Sequence, residues 1–146
     1  MSKIVFPYGI RFQEDGRVDV FPAVEADIVG RRGRGIRVTF HLDSGATTSI
    51  LPESDARALG LTISGEQRIV VGIAGEPLKG HQSKIEIRLN GKKLRIPVIF
   101  IAGVPVPRIL GRQGVFSLFG IVFDEAKRRS VFLEAEKERE IIDTLF

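Results

Sequence analysis

Cysteine is missing from this 146-residue sequence, which excludes a disulfide framework and a thiolate-bound metal. Histidine is scarce: His41 and His81 are the only two, too few for a usual zinc site of their own. Long hydrophobic runs are absent too. The longest, residues 96–106, is interrupted by Pro97, Gly103 and Pro105 and falls well short of the roughly 20 apolar residues a membrane helix needs. Residues 1–10 hold too short an apolar stretch for a signal peptide. Internal repeats, linkers and low-complexity tracts are also lacking. These absences lead to the expectation of a soluble, cytoplasmic protein without metal, cofactor or membrane attachment, forming one domain over residues 1–146.

What is present is the composition of a folded protein. Hydrophobic residues make up 43% and charged residues 27%, enough for a real core at this length. The 16 glycines and 7 prolines are spread along the chain and predict many turns and short elements. Net charge is +4 and unevenly placed. Arg31, Arg32, Arg34 and Arg37 crowd one stretch, and Lys127, Arg128 and Arg129 another. Such clusters could attract nucleic acid. Each also lies between strand-like runs, where a solvated hairpin tip is the simpler reading. No aromatic residue is interleaved with the arginines, so base stacking is disfavoured.

Alternation dominates the pattern. Residues 18–28 read as a strand, with Pro22 marking an edge or bulge. The glycine-rich stretch 30–35 is a turn signal. Ile36, Val38, Phe40 and Leu42 then alternate with Arg37, Thr39 and His41, a half-buried strand. Residues 48–51 form another apolar strand. Residues 52–60 read as a short helix, with Pro52 at its start and Gly60 at its stop. Strands follow at 68–71 and 81–89, then a hairpin turn at Asn90-Gly91 and a returning strand over 93–101. A Pro-rich corner leads to Ile109-Leu110-Gly111-Arg112 and a predicted short helix over 113–119. A last hairpin joins 120–123 to 130–133, and 134–146 reads as a terminal helix. The sum is a mainly β domain with a few short helices and a core over about 18–133.

The stretch that speaks of chemistry is residues 40–51, Phe-His-Leu-Asp-Ser-Gly-Ala-Thr-Thr-Ser-Ile-Leu. An apolar strand runs into Asp43, small residues follow, and an apolar strand leaves. A carboxylate at a strand end needs nearby donors to stay ionised. Gly45 lets backbone N–H groups approach, and Ser44 offers a hydroxyl. Taken alone, the segment fits a tight turn in which Asp43 bonds its own backbone equally well. His41 lies two residues before Asp43 on the same side of the strand; it could tune the carboxylate, though such a histidine is more often a packing residue.

Together, two segments resemble the retropepsin family, the retroviral-type aspartic proteases and their cellular and bacterial relatives. Asp43-Ser44-Gly45-Ala46 resembles its catalytic loop. Ile109-Leu110-Gly111, followed by Arg112, resembles its second signature, with 113–119 as its helix. Gly72, Ile73, Ala74 and Gly75 lie where the family has its flap. The resemblance covers roughly residues 18–133 and implies a retropepsin-like acid protease fold: a closed, barrel-like half with a flap hairpin and one or two short helices. It also implies an aspartic endopeptidase with no cofactor. Pepsin-type chains resemble two fused copies, whereas this chain has one Asp-Ser-Gly. The implied partners are therefore a second copy, giving a homodimer with the site on its two-fold axis, and a peptide or protein substrate. The other reading is a catalytically silent retropepsin-fold module that binds a peptide.

The sequence departs from the family in places. Retroviral members often have an aspartate four residues after the catalytic one, paired with the arginine of the second signature. Here that position is Thr47, so Arg112 is expected to find another partner or lie exposed. Ala46 stands where the pepsin group usually has a hydroxyl residue, which implies activity at less acid pH than in pepsin-like enzymes. Residues 134–146 extend beyond the point where retroviral enzymes end, and would replace or cap their interface.

Overall fold

Three alternating strands fix the inside of the structure: Val38, Phe40 and Leu42 on one, Ile85, Ile87 and Leu89 on a second, Leu94, Ile96, Val98 and Phe100 on a third, all buried. The computed structural model describes residues 3–63, 65–71 and 75–146. In chain order these form β1 (Lys3–Pro7), β2 (Gly9–Phe12), β3 (Val18–Phe21), β4 (Ala23–Val29), β5 (Gly35–Leu42), β6 (Ser49–Pro52), helix α1 (Glu53–Ala58), β7 (Gln67–Val71), β8 (Pro77–Leu89), β9 (Lys92–Ile101), β10 (Ile109–Leu110), β11 (Phe119–Asp124), β12 (Arg129–Glu134) and helix α2 (Ala135–Leu145).

The main sheet runs β4-β5-β10-β6-β9-β8-β7, and a further pairing of β4 with β8 closes six of these strands into a barrel. Closure removes open edges from the ring and gives its apolar face a sealed interior. Two hairpins anchor it. β4 and β5 pair from Ala23↔His41 to Val29↔Gly35. β8 and β9 meet at Asn90 and Gly91, whose positive φ angles of 48° and 84° are those of a two-residue primed turn. β7 hangs on the first residues of β8, pairing from Gln67↔His81 to Val71↔Pro77. Of the expected flap turn, Gly72, Ile73 and Ala74 lie outside the described residues; Gly75 is exposed with φ 81°.

A second sheet, β1-β12-β11, covers the barrel. Phe6 and Phe119 both pack against the Phe132 ring, at centroid distances of 5.0 and 5.5 Å. Phe132 is completely buried; burying such a side chain is worth about 2–3 kcal/mol. β2 and β3 form a separate two-stranded ribbon. Alternation puts Ile10, Phe12, Val18 and Val20 on one face of it, all exposed.

Three sequence expectations change. The strand over 18–28 is two strands broken at Pro22, whose carbonyl instead accepts from Leu42 N–H at 2.9 Å. The helix over 113–119 is a run of turns. It keeps two helical bonds, Phe116 N–H to Arg112 and Phe119 N–H to Val115, but Gly114 sits at φ 77°, and a left-handed residue interrupts a right-handed helix. The core also reaches further toward the N-terminus than residue 18, since Phe6 belongs to it. The hairpin over 120–133 and the helix after residue 134 form as the patterning predicts.

Candidate active site

β5 carries the chain to Asp43 at the mouth of the barrel. Its last residues run parallel to β10, with His41 beside Ile109 and Leu42 beside Leu110. His41 N–H donates to Arg108 O at 2.8 Å and Asp43 N–H to Leu110 O at 3.0 Å. The backbone of the aspartate is thus held by the residue preceding Gly111. Asp43 is half-buried, whereas Ser44 and Gly45 are exposed.

The loop closes tightly on itself. Gly45 N–H donates to Asp43 Oδ1 at 2.8 Å, and Ala46 N–H to Asp43 O at 3.3 Å. The local turn anticipated from the sequence therefore exists, and among the described residues Gly45 N–H is the one donor to this carboxylate. A Cβ at residue 45 would stand 3.2 Å from Oδ1, so glycine keeps the approach open.

The second signature frames this loop from behind. Leu110 is completely buried. Gly111 N–H donates to Ser49 Oγ at 3.0 Å, and Ser49 has no exposed surface. A Cβ on residue 111 would lie 2.8 Å from the Thr48 carbonyl carbon and 2.9 Å from Ala46 O, so only glycine fits. Arg112 N–H and Gln113 N–H then donate to Ala46 O and Thr47 O, each at 2.9 Å. Side chains add two bonds: Thr48 Oγ1 to Gln113 Oε1 at 2.9 Å and Arg112 Nη2 to Thr47 Oγ1 at 3.1 Å. Arg112 thus both has a partner and lies exposed. The structure brings residues 43–46 and 109–112 together, with the flap turn of residues 72–74 outside the described residues.

Sequence reasoning missed the support around this frame. Asp55, on α1, is 5% exposed and takes both Nε and Nη2 of Arg108, at 2.7 and 2.9 Å. The hydrogen bond to Asp55 pushes the Arg108 guanidinium above its ordinary pKa. This fork ties α1 to the residue just ahead of β10. Its only sequence signal was an arginine at the edge of the second signature, since its partner lies 53 positions away. The His41 ring stacks on Phe21 at 5.2 Å, and the Arg11 guanidinium lies 4.9 Å over Phe21; packing accounts for this histidine. Among the described residues no three His, Cys, Asp or Glu side chains gather as a metal site, and no helix is long and apolar enough to cross a membrane.

Residues 24–113, from β4 to the turn after Gly111, match the family model described as aspartyl protease. The chain belongs to the aspartyl protease family. The matched span takes in both the Asp43 loop and residues 109–112. No curated protein matches the chain. Among solved structures, it is similar to a retropepsin-like aspartic protease from Rickettsia conorii, with a TM-score of 0.57, 18% identity and 89% of each chain covered. At that identity the likeness establishes the fold, and the fold of this member of the aspartyl protease family is retropepsin-like.

Proposed function

We propose that the chain is an aspartic endopeptidase, active as a homodimer in which the Asp43 carboxylates of two copies face each other across a two-fold axis. The observation that carries this reading is the half-built state of the Asp43 loop. Its backbone is bonded to residues 110–113 at Asp43, Ala46 and Thr47, yet among the described residues its carboxylate has a single donor from its own chain, and Ser44 and Gly45 face outwards. A rigid backbone beneath an under-partnered, half-exposed carboxylate suits a site completed by an identical loop.

Two carboxyls about 3 Å apart cannot both ionise cheaply, so the pair shares one proton. The ionised member removes a proton from a water lying between them, and that water's oxygen attacks the peptide carbonyl. The protonated member donates to the carbonyl oxygen. The tetrahedral intermediate then breaks its C–N bond as the leaving nitrogen takes up a proton. In this reading Ser44 bonds across the dimer, residues 72–75 cover the substrate and exclude water, and Ile109, Leu110, Gly111 and Arg112 hold the loop in place.

The test is cleavage of a diverse peptide library from pH 3 to 8 by the wild type and Asp43→Asn, with molecular mass measured by light scattering at each pH. Cleavage by the wild-type dimer, abolished in the variant and strongest above the range of pepsin-like enzymes, is expected. A demonstrably dimeric protein that cuts nothing would overturn the endopeptidase and leave a peptide-binding module.

A further inference from the structure

A groove of about 910 Å³ lies between the N-terminal segment 3–11 and the outer face of the β4–β5 hairpin. It is separate from the Asp43 loop: none of residues 43–47 lines it. Two independent features describe what would fit there.

The first is an open strand edge. Among the described residues, β1 pairs with β12 on one side only and ends its sheet. Every residue of β1 lines the groove, from both of its faces, as happens when a strand presents its edge. Tyr8 N–H bonds Arg128 O. In an antiparallel pair the inward-pointing residues alternate, so Ile4, Phe6 and Tyr8 turn their backbone groups to β12. Lys3, Val5 and Pro7 turn theirs to the groove. Pro7, which has no N–H, therefore sits on the open side, where a proline costs no ladder bond. Val5 offers both an N–H and a C=O.

The second feature is charge. Lys3, Arg11, Arg37 and Arg88 line the groove against one carboxylate, Glu25. Arg37 is shared between Glu25 and Asp27, at 3.4 and 3.2 Å. Arg88 in turn pairs with Glu86 at 3.8 Å, so with Asp27 and Glu86 both counted beside Glu25, cations outnumber carboxylates four to three. All these side chains are long and solvated enough to reorient toward a ligand.

We propose that this groove binds an extended acidic peptide segment, which adds as a strand to the open edge of β1 while its carboxylates meet Arg37, Arg88 and Lys3. Backbone bonds to Val5 supply register, and the basic side chains supply selectivity. The occupant is a peptide or an exposed tail of a partner protein, bound at a place remote from Asp43.

The test uses the full chain and a labelled hexapeptide alternating glutamate with valine or isoleucine, followed by fluorescence anisotropy in both wild type and Asp43→Asn. Binding is expected in both proteins, which makes it independent of the endopeptidase reading. Arg37→Glu and Arg88→Glu each weaken it at least tenfold, raised salt weakens it further, and the lysine counterpart of the peptide does not bind. Val5→Pro removes the outward N–H and abolishes binding. Hydrogen exchange of the Val5 amide in the unmutated chain, slowed on peptide addition, reports the same bond without a mutation. Equal binding of acidic and basic peptides, affinity unchanged by both charge reversals, or a Val5 amide that exchanges at the free rate would each overturn the proposal. So would a self-associated protein whose dimerisation competes with the peptide.

Discussion

Arg112 reaches back across the site loop and donates to Thr47 Oγ1 at 3.1 Å. A hydroxyl takes the place of the carboxylate that retroviral relatives often have there, and the arginine stays in the frame as a neutral-partner donor. Both residues are exposed, so the bond is weak in water. The backbone pairs at residues 46–112 and 47–113 are what hold the loop. Thr47→Val should therefore cost less than about 1 kcal/mol, while Thr47→Asp, which makes the bond charge-assisted, should raise the melting temperature slightly. Thermal unfolding of the two variants checks both signs; a large loss in Thr47→Val would move the support from backbone to side chain.

Ser49 and Gly111 form the buried counterpart. Removing the Ser49 hydroxyl orphans the Gly111 N–H in a place without solvent, at a cost of about 1–3 kcal/mol. Gly111→Ala forces a methyl onto the Thr48 and Ala46 backbone and should shift the Asp43 loop itself. Denaturant unfolding is expected to rank Ser49→Ala as moderate and Gly111→Ala as the more severe, with peptide cleavage lost in the second even where it folds.

The Arg108–Asp55 fork should be asymmetric. Arg108→Ala strands a carboxylate that is 5% exposed, for a loss of about 3 kcal/mol, the lower end for a broken buried pair because the arginine side chain keeps 38% of its surface in water. Asp55→Ala leaves that arginine able to turn to solvent and should cost less. In a double-mutant cycle, the paired substitution is expected to recover part of the Arg108→Ala loss; strict additivity would refute the coupling.

Acid stability has one identifiable contributor in the last hairpin. The bond from Arg129 holds the Asp124 carboxyl below its usual pKa, with the Lys127 N–H helping. A depressed folded-state pKa stabilises the fold above the unfolded value, about 3.9, and that stability is lost as pH falls through the folded value. Asp124→Asn should melt below the wild type at pH 7 and converge with it near pH 2. Melting curves from pH 2 to 7 that stay parallel would contradict this.

Much of the barrel was legible because its signals are local. Phe40 and Leu42 alternate with polar neighbours, and Asn90-Gly91 names its own turn. The two halves of the site could be read through family likeness. What joins them could not. Thr47 with Arg112, and Asp55 with Arg108, meet across 65 and 53 positions, and no periodicity reports such pairs. β1 was invisible for the same reason: its partner β12 lies at the other end of the chain. The helix expected over 113–119 failed on one residue, Gly114, whose φ is positive and where a Cβ would press against Ile96 and Arg95 at 3.0–3.4 Å.

The separation of 65 positions between Thr47 and Arg112 also sets a schedule. At about 5–20 residues per second of synthesis, a stretch of that length takes roughly 3–13 s to add. During that interval Asp43 has left the β4–β5 hairpin but has nothing to lean on. A nascent or truncated chain ending before residue 108 carries the aspartate and lacks its scaffold, so readiness at this loop is a property of the finished polypeptide and not of its motif.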